Sequence, residues 1–152
     1  MSSTQLLQDM MTQYCDLSSV YPDMKKLREV LTQLSDQQKL HALHVQQLYS
    51  ICWTPLQCAA CRDHTEIIST LLTSLQSSAD RLKLLMVDKD TPLHTAAVRG
   101  HTESVKMILD CLTADQQIQI MSVQRGGGET AIQHAEFLRC TDTARILREY
   151  QQ

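Results

Sequence analysis

Apolar residues recur along the chain at the spacing of one helix face. Leu6, Leu7, Met10, Met11 and Tyr14 form one such set, and Met24, Leu27, Val30, Leu31 and Leu34 a second. Ile68, Leu71, Leu72 and Leu75 repeat the i, i+3, i+4, i+7 stripe, as do Val105, Ile108, Leu109 and Leu112. Pro22-Asp23 places Pro at the first helical position of the second set. Near the end, Ala144, Ile146 and Leu147 continue the stripe, and Arg148, Glu149, Gln151 and Gln152 make it polar. Three further segments begin with a hydroxyl residue and carry an acid or amide three positions on: Ser35 to Gln38, Ser77 to Asp80 and Thr113 to Gln116. Each reads as a capping box or its relative. Each precedes a short apolar patch: Leu40, Leu43 and Val45; Leu82, Leu84, Leu85 and Val87; Ile118, Ile120, Met121 and Val123. The pattern predicts an all-α chain whose unit is helix, helix, short helix of two to three turns, then turn.

The units are copies of one another. Thr54-Pro55-Leu56-Gln57-Cys58-Ala59-Ala60 recurs as Thr91-Pro92-Leu93-His94-Thr95-Ala96-Ala97 and, weakened, as Thr130-Ala131-Ile132-Gln133-His134-Ala135-Glu136, at intervals of 37 and 39 residues. Downstream, Arg62 to Ile68 matches Arg99 to Val105. In the first two copies Thr can cap a first helix that opens with Pro, and paired Ala residues permit close helix approach. Thr91 through His101 resembles the T-P-L-H-x-A-A-x-x-G-H signature of the ankyrin repeat family. That resemblance implies an ankyrin-type helical repeat solenoid, in which each unit buries its apolar stripe only by stacking on its neighbours. The intervals exceed the family period by roughly four and six residues, which the extra short helix of each unit accounts for. The expected layout is a single domain over 1–152: a diverged N-terminal capping pair at 4–35 with a loop from Asp16 to Tyr21, a short helix and connection at 36–53, repeats at 54–87 and 91–123, and a C-terminal capping repeat at 130–150. An irregular or partly helical approach is expected over Gln46 to Trp53. Gly126-Gly127-Gly128 can supply a positive φ, but Asp88 to Thr91 has lost its glycine, so projecting β-hairpin fingers are not expected.

Composition narrows the function. With 43% hydrophobic residues, 20% charged residues, 4 Gly and 3 Pro, the chain suits one helical domain and not an all-β sandwich. A net charge of −3 without a basic run argues against nucleic acid. No apolar stretch reaches the ~20 residues of a membrane span, and the opening residues lack the basic and apolar regions of a secretory signal. The expected compartment is the cytoplasm, with the nucleus second, and the expected state is a monomer. The six cysteines, Cys15, Cys52, Cys58, Cys61, Cys111 and Cys140, then read as reduced small hydrophobes.

No enzyme motif is present, and no cofactor is expected. Gly126-Gly127-Gly128 lacks the Lys-Ser/Thr of a phosphate cradle, and His94 sits at the family spacing for a hydrogen bond within the turn. Cys58-x-x-Cys61 followed by His64 could put three metal ligands or a redox pair on one helical turn, an alternative from a different class. The register opposes it, since the next unit has Thr95 and Val98 at the cysteine positions and His101 at that of His64. His41 and His44 could share a face, but without companions they are a weak metal signal. Another alternative is a self-associating module held by the inserted helices. The leading expectation is a non-enzymatic scaffold or adaptor that binds another protein. By the resemblance, contact residues fall on the concave face built by the first helices: Trp53, Cys58, Cys61, Arg62, Thr95, Val98, Arg99, His134, Phe137 and Leu138. Arg62 and Arg99, one repeat apart, suit an acidic partner segment; Phe137 or Leu138 could instead close the C-terminal core.

Overall fold

The computed structural model describes residues 2–16, 21–44, 54–87 and 89–151, and every regular element among them is a helix. The first unit holds α1 (Ser3–Asp16), α2 (Met24–Thr32) and α3 (Asp36–His44); the second holds α4 (Pro55–Arg62), α5 (Thr65–Ser74) and α6 (Ser78–Leu85). The third holds α7 (Pro92–Val98), α8 (Thr102–Asp110) and α9 (Ala114–Met121), and α10 (Ala131–Phe137) and α11 (Thr141–Tyr150) follow. In each unit the first two helices pack together, and first helices stack on first helices and second on second along the array. The inserted α3 packs against α1 and α6. The result is an all-helical repeat solenoid with a third layer of short helices.

Local chemistry starts the Thr-led first helices and the inserted helices where the sequence predicts. Thr54, Thr91 and Thr130 each accept from the backbone N–H three residues on, and Gln57 and Gln133 return the bond to complete capping boxes. The inserted helices use the same device: Ser35 with Gln38, and Thr113 with Gln116, bond reciprocally. The Ser77 box is incomplete, because Asp80 is one methylene shorter than glutamine and pairs with Lys83 instead. One expected start is corrected. Pro22 does not open α2; Asp23 caps it, accepting from the N–H of Lys26, so Pro22 lies outside the helix.

Stacking buries the stripes. Leu7, Met11, Tyr14, Leu27, Ile68, Leu71, Leu72, Val105, Ile108 and Leu109 are in the core, as are the small Ala59, Ala60, Ala96 and Ala97 that bring the first helices together. Of the inserted patches, Leu43, Leu84, Leu85, Ile120 and Met121 are buried, while Ile118 is 53% exposed. Before α10, Arg125 N–H donates to Glu129 O at 2.9 Å and Gly128 N–H to Arg125 O at 2.7 Å, a tight turn that needs the φ of +88° at Gly128. The expected irregular approach at Gln46 to Trp53 lies outside the described residues, as does most of the loop after Asp16.

Candidate functional site

The first helices end in corners that stack one on the next. The turn into each later second helix reaches back to the preceding unit from one register position: His64 Nδ1 and the Tyr14 hydroxyl share a hydrogen bond of 2.7 Å, His101 Nε2 donates to Cys61 O at 3.1 Å, and Cys140 Sγ reaches Val98 O at 3.6 Å. The starts of the first helices reach forward. Gln57 donates to Asp90 O, and His94 Nε2 donates to Glu129 O at 3.3 Å while its Nδ1 takes the Thr91 hydroxyl at 3.0 Å. Burial lowers the pKa of His94, so the neutral ring that this pattern requires is also the favoured one.

A third set of ties was not anticipated from the sequence. The inserted helices carry Lys39, Arg81 and Gln117 at one register, four residues after Ser35, Ser77 and Thr113. Arg81 Nε donates to Leu72 O and Leu75 O at the end of α5, each at 3.0 Å, and its Nη1 reaches Cys111 O of the next unit at 3.2 Å. Gln117 donates to Leu109 O and Leu112 O at the end of α8. Lys39 is buried and donates to Ser74 O at 2.6 Å, the position in its next unit that Cys111 occupies for Arg81. These donors satisfy carbonyls that a helix C-terminus leaves unpaired, with positive charge at the negative end of the dipole in two of three cases. The signal in the sequence is a long donor side chain at one register, immediately before the apolar patch of each inserted helix.

The expected contact residues divide into two groups. Trp53 lies outside the described residues. Cys58 and Thr95 are buried, at 5% and 8% exposure, so they offer no contact surface; their short side chains end inside the layer, and the Thr95 hydroxyl bonds back to Thr91 O. His134, at the same register and larger, is half-buried and accepts from Arg125 Nη1 at 2.7 Å. Arg62 is likewise withdrawn. Its guanidinium donates to Tyr14 O at 2.5 Å and Cys15 O at 3.1 Å, with Cζ 4.9 Å from the Tyr14 ring centre. It caps the end of α1, where carbonyls and dipole favour a cation.

The rest stay accessible. Cys61 and Val98 are half-buried, and Arg99 is exposed. Phe137 is 80% exposed and Leu138 44%, so neither closes the C-terminal core; Ala131, Ile132, Ala135, Ala144 and Leu147 do that. Arg139, exposed and with φ of +61°, joins them at the corner and was not among the expected contacts.

The geometry gives the metal or redox alternative no constellation. Cys58 is buried, His64 Nδ1 is engaged by Tyr14, and burial raises the Cys61 pKa, which favours thiol over thiolate. Among the described residues no group of three or more His, Cys, Asp or Glu side chains is placed to hold a metal ion. None of the described helices is long and apolar enough to cross a membrane.

A family model of ankyrin repeats in three copies matches residues 25–120, well over half of the chain. No curated protein matches. Among solved structures, a chain in the crystal structure of the yeast ribosomal protein Rps3 in complex with its chaperone Yar1 is similar at a TM-score of 0.68, with 20% identity over 98% of this chain and 95% of that one. At that identity the likeness concerns the fold alone. With the signature, the stacked helix pairs and the family match in agreement, the chain belongs to the ankyrin-repeat family.

Proposed function

We propose that the protein is a non-enzymatic adaptor that binds another protein through the face built by its first helices, the concave face of the family. One observation carries this reading: the large apolar side chains of Phe137 and Leu138 stand exposed at the end of the last first helix, one corner after the exposed Arg99. Exposed aromatics flanked by arginines are the residue types in which binding energy concentrates at protein interfaces. Family membership supports a binding role, and the similar fold seen in a chaperone complex is consistent with it.

The test is affinity capture with the intact chain, comparing Phe137→Ser/Leu138→Ser with Ile118→Ser on the inserted helices. Proteins captured by the native chain should be lost with the first variant and kept with the second, at unchanged thermal midpoints. Capture indifferent to both variants would remove the concave face from the reading. A second reading, self-association through the third layer, draws on exposed Ile118 and on an apolar groove of about 760 Å³ lined by Leu40, Leu82, Met86 and Val87. Sedimentation of the native chain decides it: a single species at monomer mass excludes that reading.

A further inference from the structure

We infer that the C-terminal corners of α7 and α10 form a two-arginine clamp, Arg99 and Arg139 about Phe137 and Leu138, that takes an acidic partner segment bearing a large apolar side chain. The inference rests on the concave-face reading and names the partner's chemistry. The two corners are in contact. Cys140 Sγ lies 3.6 Å from Val98 O, and a β-carbon at Gly100 would stand 3.7 Å from that sulfur. Arg99 and Leu138 occupy equivalent positions of adjacent units, and Arg139 follows directly.

Charge decides what fits there. Among the described residues, neither Arg99 nor Arg139 has a hydrogen-bond or ion-pair partner, whereas the carboxylates along the row of corners, Asp63 after α4 and Glu136 in α10, are engaged. Asp63 accepts from the Ser104 hydroxyl at 2.6 Å and faces His101, and Glu136 pairs with Arg148. The corners therefore present two unopposed guanidinium groups around an apolar patch, and the complement of that surface is carboxylate beside hydrocarbon. Arginine suits the task, because its planar donors match a carboxylate in pairs and its weak hydration eases burial at an interface. The contrast with Arg62 is informative: the arginine at the equivalent N-terminal corner is consumed by the end of α1, which confines the clamp to the C-terminal half of the face. Arg139 also holds a left-handed conformation that Asp63 and Gly100 fill in the earlier units. A long side chain kept at a position better suited to glycine accords with a role in contact.

The test pans a random linear peptide library, displayed on phage, against the full chain. Enriched peptides should carry Asp or Glu beside Phe, Leu, Ile or Trp. Their affinity should fall by about tenfold or more with Arg99→Glu, with Arg139→Gly and with Phe137→Ser, and should weaken as salt is added. Ile118→Ser should leave it unchanged. Arg139→Gly serves beside the charge reversal at Arg99 because it relieves the corner, so lost binding there does not report unfolding. Absence of enrichment, or enriched peptides whose affinity is indifferent to both arginines, overturns the clamp. Neutral or basic peptides lost with Phe137→Ser overturn the clamp and leave the concave-face reading standing. Peptides lost only with Ile118→Ser overturn both and move recognition to the third layer.

Discussion

Arg139 occupies φ of +61°, where the equivalent residues Asp63 and Gly100 have +57° and +71°. In that region a β-carbon crowds the following carbonyl, at a cost of roughly 1–2 kcal/mol that glycine avoids. Arg139→Gly should therefore stabilise the fold by about 1 kcal/mol, read from urea unfolding. Gly100→Ala should destabilise by a similar amount, without a clash, since its β-carbon would meet only Cys140 Sγ at 3.7 Å and Thr143 Oγ1 at 4.0 Å. In the core the scale is larger: Leu109 is fully buried, and Leu109→Ala should cost ~2–5 kcal/mol. Residue identity alone does not separate these cases. Arg62 and Arg99 align in the repeat, yet one is consumed by carbonyls 47 and 48 residues upstream while the other is exposed and has no hydrogen-bond or ion-pair partner among the described residues. That distinction depends on where α1 ends against α4, which a local pattern cannot express.

The inserted helices test what an element contributes. Arg81 satisfies carbonyls of two units with one side chain, and Arg81→Leu should cost roughly 2–3 kcal/mol. Hydrogen exchange should accelerate across α6 and at the ends of α5 and α8. Arg81→Lys should recover only part of the loss, because an ammonium lacks the planar fork that spans both units. Thr113→Ala removes one half of a complete capping box and should cost about 1 kcal/mol, with faster exchange from Ile118 to Val123. The existence of these helices was legible from Ser35, Ser77 and Thr113 ahead of apolar patches. Their stripes and the Thr-Pro starts likewise reveal the first and second helices, because caps and periodicity are local. The sequence left open whether Phe137 stands exposed or closes the core, and the burial of Cys58 and Thr95 was not legible. Each depends on what the neighbouring unit covers, and at one register the answer changes from Cys61 to Val98 to Phe137 as the last unit is reached.

Across the whole molecule the histidine ties make stability depend on pH. The pKa of His94 is lowered first by burial, and that of His64 first by burial and then by Arg62. The unfolded chain therefore takes up protons at a higher pH than the folded one. Stability is full above the ordinary histidine value and declines as pH falls through it toward the lowered folded values. The thermal midpoint should drop on acidification from neutral pH, and His94→Gln should flatten that drop while keeping the fold. Gln57 performs the same task one unit earlier by donating to Asp90 O, so glutamine can stand for histidine there. The same substitution of one tie by another has a consequence for how such a chain can lengthen. Most of these ties fall on main-chain carbonyls of the neighbouring unit, which every residue offers; of the side chains that the joints do require, the buried stripes recur with the repeat, and the pairing of Asp63 with Ser104 is an exception. Residues 54–90 thus amount to a cassette with matching plugs: duplicated in tandem ahead of Thr91, the copy would find acceptors on both sides. Growth by internal duplication would then ask few compensating mutations at the seams, and the corner bearing Phe137 would be carried outward with its surface unchanged.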